Sequence, residues 1–88
     1  MKMPTEINEK RSQIDKIDIK LMDLLVKRMK LSRQIGNIKK NLNIGYKDVE
    51  REELILRNLK ERYLEHLSDD EITSFFKTIF DLSIKNQK

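Results

Sequence analysis

The 88-residue sequence has no cysteine and a single histidine. The first absence excludes disulfides and thiol chemistry, and the two together leave no zinc cluster to be built. Neither a metal nor a cofactor is expected. Two glycines and one proline are too few for the turns that a sheet fold needs. No segment approaches the roughly 18 consecutive apolar residues of a membrane span. The N-terminal Met1-Lys2-Met3-Pro4-Thr5-Glu6 also lacks the apolar core of a signal peptide. A cytoplasmic protein without a membrane partner is the expectation. There is no block of one charge either: the net charge is +4, yet Lys and Arg alternate with Asp and Glu. That pattern does not point to a nucleic-acid partner.

What is present is periodicity. Charged residues make up 39% and hydrophobic ones 38% of a chain without a composition break, which suits one domain, residues 1–88, of long amphipathic helices. At this length a chain is near the lower limit for burying enough apolar surface to fold alone, so self-association is expected. Ile7, Ile14, Leu21, Arg28, Ile35 and Leu42 recur every seven residues, with Ile17, Leu24, Leu31 and Ile38 in companion positions. Such a heptad seam predicts one helix from about residue 6 to 42, with Thr5 as its N-cap and a length of roughly 55 Å. A compact domain of this size has a radius of gyration of only about 12 Å. The far end of the helix must find apolar cover elsewhere, and a second copy of the chain is the simplest source.

The period is lost over Asn41 to Lys47, a stretch of turn formers, after which Asp48 can cap a second helix whose buried face is Leu56, Leu59 and Tyr63. Glu50, Glu52 and Glu53 lie near its positive end. Ser68-Asp69-Asp70-Glu71 reads as a capping box that opens a third helix, with Ile72, Phe75, Phe76, Ile79 and Phe80 as its core face. The fold class is all-α: three helices, the first very long.

Several polar residues interrupt these apolar faces. Arg28 occupies a seam position, where a single charge can fix register. Lys39 follows eleven residues later, three turns plus about 20°, so the two cations point the same way roughly 16 Å apart. The gap between them is of small-molecule size. In the second helix Glu52 heads the apolar stripe beside Arg51, and the stripe of the third helix continues onto Ser83 and Gln87. Buried ions without partners cost several kcal/mol, so polar groups on three apolar faces together point to a bound ligand. Gly36, inside the long helix, costs about 1 kcal/mol relative to alanine. It either admits a close neighbour or is a tolerated defect.

The arrangement Arg11-x2-Ile14-x2-Ile17-Asp18, Arg28, Ile35-Gly36-x2-Lys39, Asp48-x2-Arg51-Glu52 and Ser83-x3-Gln87 resembles the all-helical class of chorismate mutases over nearly the whole chain. The resemblance implies an intertwined homodimer that converts chorismate to prephenate on the route to phenylalanine and tyrosine. It implies that Arg28, with Arg11 from the partner chain, binds the two carboxylates of chorismate. Lys39 would contact a carboxylate together with the ether oxygen of the breaking bond, and Gln87 would donate to the same ether oxygen. Glu52 and Asp48 would hold the ring hydroxyl, and Arg51 and Ser83 would complete the anion-binding wall. Geometry agrees on Arg11, since 28 residues separate it from Lys39, roughly 42 Å along one helix.

Two features depart from the family. Many members carry Pro and then Val or Ile before the Asp of the second helix, where this chain has Gly45-Tyr46-Lys47-Asp48. One residue follows Gln87, so fraying of the turn that holds it is expected. The implied reaction is a unimolecular pericyclic rearrangement that needs neither nucleophile nor proton transfer. The alternatives are an isochorismate pyruvate lyase of the same fold and, from another class, a non-catalytic helical dimer binding nucleic acid or protein. The last predicts Arg28, Lys39 and Arg51 on a solvent-facing stripe.

Overall fold

A computed structural model describes residues 3–88, so Met1 and Lys2 of the N-terminal stretch lie outside the described residues. Three helices follow in order: α1 (Thr5–Asn41), α2 (Val49–Arg62) and α3 (Asp69–Gln87). Among the described residues there are no strands, and no helix is long and apolar enough to cross a membrane. The molecule measures 58 × 25 × 19 Å, with a radius of gyration of 17.1 Å. That exceeds the compact value of about 12 Å because α1 alone spans most of the long axis.

Helix ends follow local chemistry, with one correction. Thr5 is the first helical residue and not the cap; Pro4 holds the cap position with φ −56° and makes no side-chain cap bond. Proline suits a helix start, where its fixed φ is pre-organised and its missing N–H has no intrahelical partner to lose. The Pro4 carbonyl accepts the Asn8 N–H at 3.2 Å, closing the first turn. At the other end Asn43 takes the left-handed conformation (φ 56°). The Ile44 N–H then donates to the Lys39 carbonyl and the Asn43 N–H to the Lys40 carbonyl, the paired bonds of a Schellman cap. Asp48 caps α2 by accepting the Arg51 N–H at 3.0 Å. Ser68 and Glu71 form the reciprocal capping box of α3.

α3 is the hub, packing against both α1 and α2, which do not pack on each other among the described residues. Ile72, Ile79, Phe80 and Ser83 are the buried residues of α3, and Met29, Ser32 and Gly36 those of α1, whose Gly36 packs on the Gln87 end of α3. The heptad seam points elsewhere. Ile7, Ile14, Ile17, Leu21, Leu24, Leu31, Ile35 and Ile38 are all exposed in the single chain, at 42–61% of their surface. Two residues predicted as core are also open: Phe75 is 59% exposed, and Tyr63, which ends α2, is 39% exposed. Leu56 and Leu59 are half-buried, and α2 has no fully buried residue. The physical reason is shared, since α3 covers only one flank of each neighbour. An open apolar groove of about 860 Å³ is left along Leu59, Tyr63, Leu67, Ile72, Phe75 and Phe76.

Candidate active site

Seven of the eight residues singled out from the sequence line one cleft of about 400 Å³: Arg28, Lys39, Asp48, Arg51, Glu52, Ser83 and Gln87. Each arrives from a different local cause. Arg28 sits between the exposed seam and the packed stripe of α1, so it is half-buried and reaches α3, where its Nη1 donates to the Ser83 hydroxyl. Ser83 is itself buried at the α1–α3 contact. Lys39 stands in the last turn of α1, close to the reversal that the Schellman cap creates. The α2 cap brings Asp48, Arg51 and Glu52 in from the third side.

The hydrogen bonds leave specific groups uncommitted. Lys39 Nζ donates to the Tyr46 carbonyl at 2.8 Å and to Gln87 Oε1 at 3.3 Å. An ammonium has three donors, so one is left for a ligand. The same contact fixes the Gln87 amide, because its oxygen must face the cation; both amide N–H donors then have no protein acceptor among the described residues. Asp48 uses one oxygen on the α2 cap. Glu52 is paired to Lys47 at 3.5 Å, with 21% of its side chain exposed.

The charge balance of the cleft is one-sided. Among the described residues no carboxylate lies within ion-pair distance of Arg28, Lys39 or Arg51, and the one ion pair in the cleft consumes Glu52. Burial, and secondarily the neighbouring Arg51 guanidinium, lowers the Arg28 pKa from its ordinary value. Arginine nevertheless stays protonated, so the cleft holds an uncompensated cation partly out of water. An anionic ligand is the natural counter-charge for such a cation. Arg28 and Lys39 are half-buried, unlike the fully solvent-facing stripe of a nucleic-acid binder, although Arg51 is exposed.

Comparison with known proteins decides the family. A family model described as "Chorismate mutase type II" matches residues 10–88. The chain belongs to the type II chorismate mutase family. The chorismate mutase of Methanocaldococcus jannaschii is 33% identical over 86 residues, a match covering 98% of this chain and 84% of that protein. A bifunctional chorismate mutase/prephenate dehydratase of Buchnera aphidicola subsp. Baizongia pistaciae is 37% identical over 79 residues, 89% of this chain but 21% of that protein. The chain thus spans about a fifth of the bifunctional relative. A solved structure of a conserved hypothetical protein from Pyrococcus furiosus superposes with a TM-score of 0.78 at 34% identity, covering 98% of this chain and all of that one. Family membership and a match covering nearly all of this chain and 84% of that chorismate mutase support chorismate mutase activity, an isomerase reaction, for this chain.

Arg11 is the eighth residue, and the cleft of the type II chorismate mutase chain does not contain it. It lies in the exposed N-terminal half of α1. Tyr46 and Ser32 in the cleft and Lys47 beside it carry no site signal in the sequence pattern. Tyr46 contributes a backbone carbonyl, which no side-chain pattern signals. Lys47 pairs with Glu52 across five positions at a loop–helix junction. Ser32, one of the two buried polar residues among the described residues, was visible only as a small residue four positions after Arg28 and four before Gly36. The departing loop Gly45-Tyr46-Lys47 supplies both of the first two contacts.

Proposed function

We propose that the chain is a single chorismate mutase domain that works in the cytoplasm as an intertwined homodimer, isomerising chorismate to prephenate at two equivalent sites. The observation that carries this reading is the cleft of half-buried cations without carboxylate partners, matched to a dianionic substrate. Arg28, Arg51 and Arg11 of the partner subunit bind the two carboxylates. Ser83 holds the Arg28 guanidinium and completes that wall. Glu52 and Asp48 hold the ring hydroxyl. Binding both carboxylates selects the folded conformer in which the reacting carbons are in contact, converting conformational search into orientation.

Lys39 and Gln87 do the electrostatic work. As the C–O bond breaks, negative charge grows on the ether oxygen, and the free Lys39 proton with a Gln87 amide N–H stabilises it. Bond making and bond breaking are concerted, so no proton is transferred. Support for the dimer comes from the exposed seam of α1 and the open groove beside Phe75, apolar surfaces of a size that single chains seldom leave uncovered. Fusion of a chorismate mutase to a prephenate dehydratase in the Buchnera relative supports a place in aromatic amino acid synthesis.

The deciding experiment is a direct assay of prephenate formation from chorismate, run beside one for pyruvate release from isochorismate. Turnover of the first without the second is expected. Pyruvate release alone would place the chain with the lyases of the same fold.

A further inference from the structure

Gly36 packs directly against the backbone of Gln87. A Cβ built on Gly36 would stand 2.5 Å from the Gln87 Cα, 2.8 Å from its carbonyl carbon and closer still to its carbonyl oxygen. All three atoms are backbone, so no side-chain rotation can relieve the overlap. Restoring an ordinary contact requires the last turn of α3 to move away from α1 by about 1 Å. Gly36 lies one turn before Lys39 on the same side of α1, so this close approach sets the spacing between the helices at the level of the two ether-oxygen donors. A second contact seats the same turn: Arg33 Nη1 donates to Asn86 Oδ1 at 2.7 Å, outside the cleft.

We infer that Gly36 is a positioning residue for Gln87, its missing side chain holding the end of α3 where the amide meets Lys39 and the substrate. The inference rests on the proposed chorismate mutase reading, and specifically on Gln87 as a donor. It explains why a helix-weakening residue occupies a helix interior: alanine there favours the helix but forbids the seat. Arg33 assists by fixing the neighbouring residue Asn86.

The test compares Gly36→Ala, Gln87→Ala and the double variant as full-length proteins, reading kcat, KM, helix content and melting. A misplacement of about 1 Å predicts that Gly36→Ala lowers kcat about 100-fold. KM is expected to change little, because Arg28 and Arg51 are untouched. The double variant is expected to be no slower than Gln87→Ala alone, since a displaced alanine has no donor to misplace. Losses that multiply in the double variant, or near-normal kcat in Gly36→Ala beside an impaired Gln87→Ala, overturn the inference while leaving the proposed function standing. Full activity of Gln87→Ala itself overturns the role of Gln87, and this inference with it. Should Gly36→Ala not fold, Arg33→Ala decides: a severalfold drop in kcat that vanishes in the Gln87→Ala background is expected, and an undiminished kcat overturns the inference. In a Gln87→Glu background, where only the protonated carboxyl can donate, Gly36→Ala is expected to remove the rise of activity in acid; a purely structural role would leave that rise in place.

Discussion

The two halves of α1 carry the same heptad pattern and meet different fates. From Thr5 to Leu24 every residue is exposed in the single chain. From Leu25 to Asn41 one stripe is buried under α3, and the same segment holds Arg28, Gly36 and Lys39. The difference lies in what stands opposite. α3 has 19 residues and about half the length of α1, so it can cover only one half. The uncovered half is therefore available to a second chain, and it is the half that bears Arg11.

Charge placed in the uncovered half tests this contrast most severely. Leu24 is 61% exposed in the single chain, where an aspartate would cost next to nothing. If the partner covers it, Leu24→Asp buries a carboxylate at a cost of several kcal/mol, and both dimer and activity are expected to be lost. Sedimentation and the prephenate assay read the two effects; a dimeric, active variant would remove the case for intertwining. In the covered half, Lys39→Ala is expected to lower kcat by a factor of hundreds or more, about 3–4 kcal/mol of lost stabilisation, with the dimer intact. Near-normal turnover contradicts its assignment.

Complementation links the two halves. Arg11→Ala and Lys39→Ala proteins, each impaired alone, are expected to regain about a quarter of normal activity when unfolded and refolded together. Half of randomly paired dimers are mixed, and each mixed dimer has one intact site of two. No recovery would mean that Arg11 and Lys39 serve the same chain's site. A pH series is milder. Between pH 6 and 8 the wild-type protein is expected to change little, because its second donor is a neutral amide, whereas Gln87→Glu is expected to be active mainly in acid. A flat profile for that variant separates residue 87 from the ether oxygen.

The smallest effect lies far from the cleft. Hydrogen bonds from the Ser68 backbone and side chain lower the Glu71 pKa in the folded state. Its stabilisation of α3 is present above the ordinary glutamate pKa and fades as pH falls through the lowered folded value. The melting difference between wild type and Glu71→Ala is thus expected to shrink in acid, and a constant difference contradicts the capping role.

Local chemistry was open to reading in one dimension wherever a residue acts on its own neighbourhood. The three helices, the turn at Asn43, the Asp48 cap and the Ser68 box all follow from residues within a turn of the feature they control. Polar residues on or beside apolar stripes also marked six of the cleft residues, because burying a charge is costly enough to leave a trace in the pattern, while Asp48 was marked as a helix cap and by the family resemblance. Thr5 misled because proline at the preceding position begins the helix without a side-chain cap. Phe75 and Tyr63 misled because periodicity identifies an apolar face without saying what covers it.

Hydrophobic periodicity and capping chemistry are short-range properties, so the all-α class, the helix limits and the candidate cations were set by the order of residues alone. Which α1 stripe meets α3, the use of the Tyr46 carbonyl and the Lys47–Glu52 pair depend on groups brought together from separate segments, and only packing in three dimensions decided them. The same holds for Gly36. In sequence it was either a close approach or a defect; the backbone of Gln87, 51 positions away, occupies the space where its side chain would be.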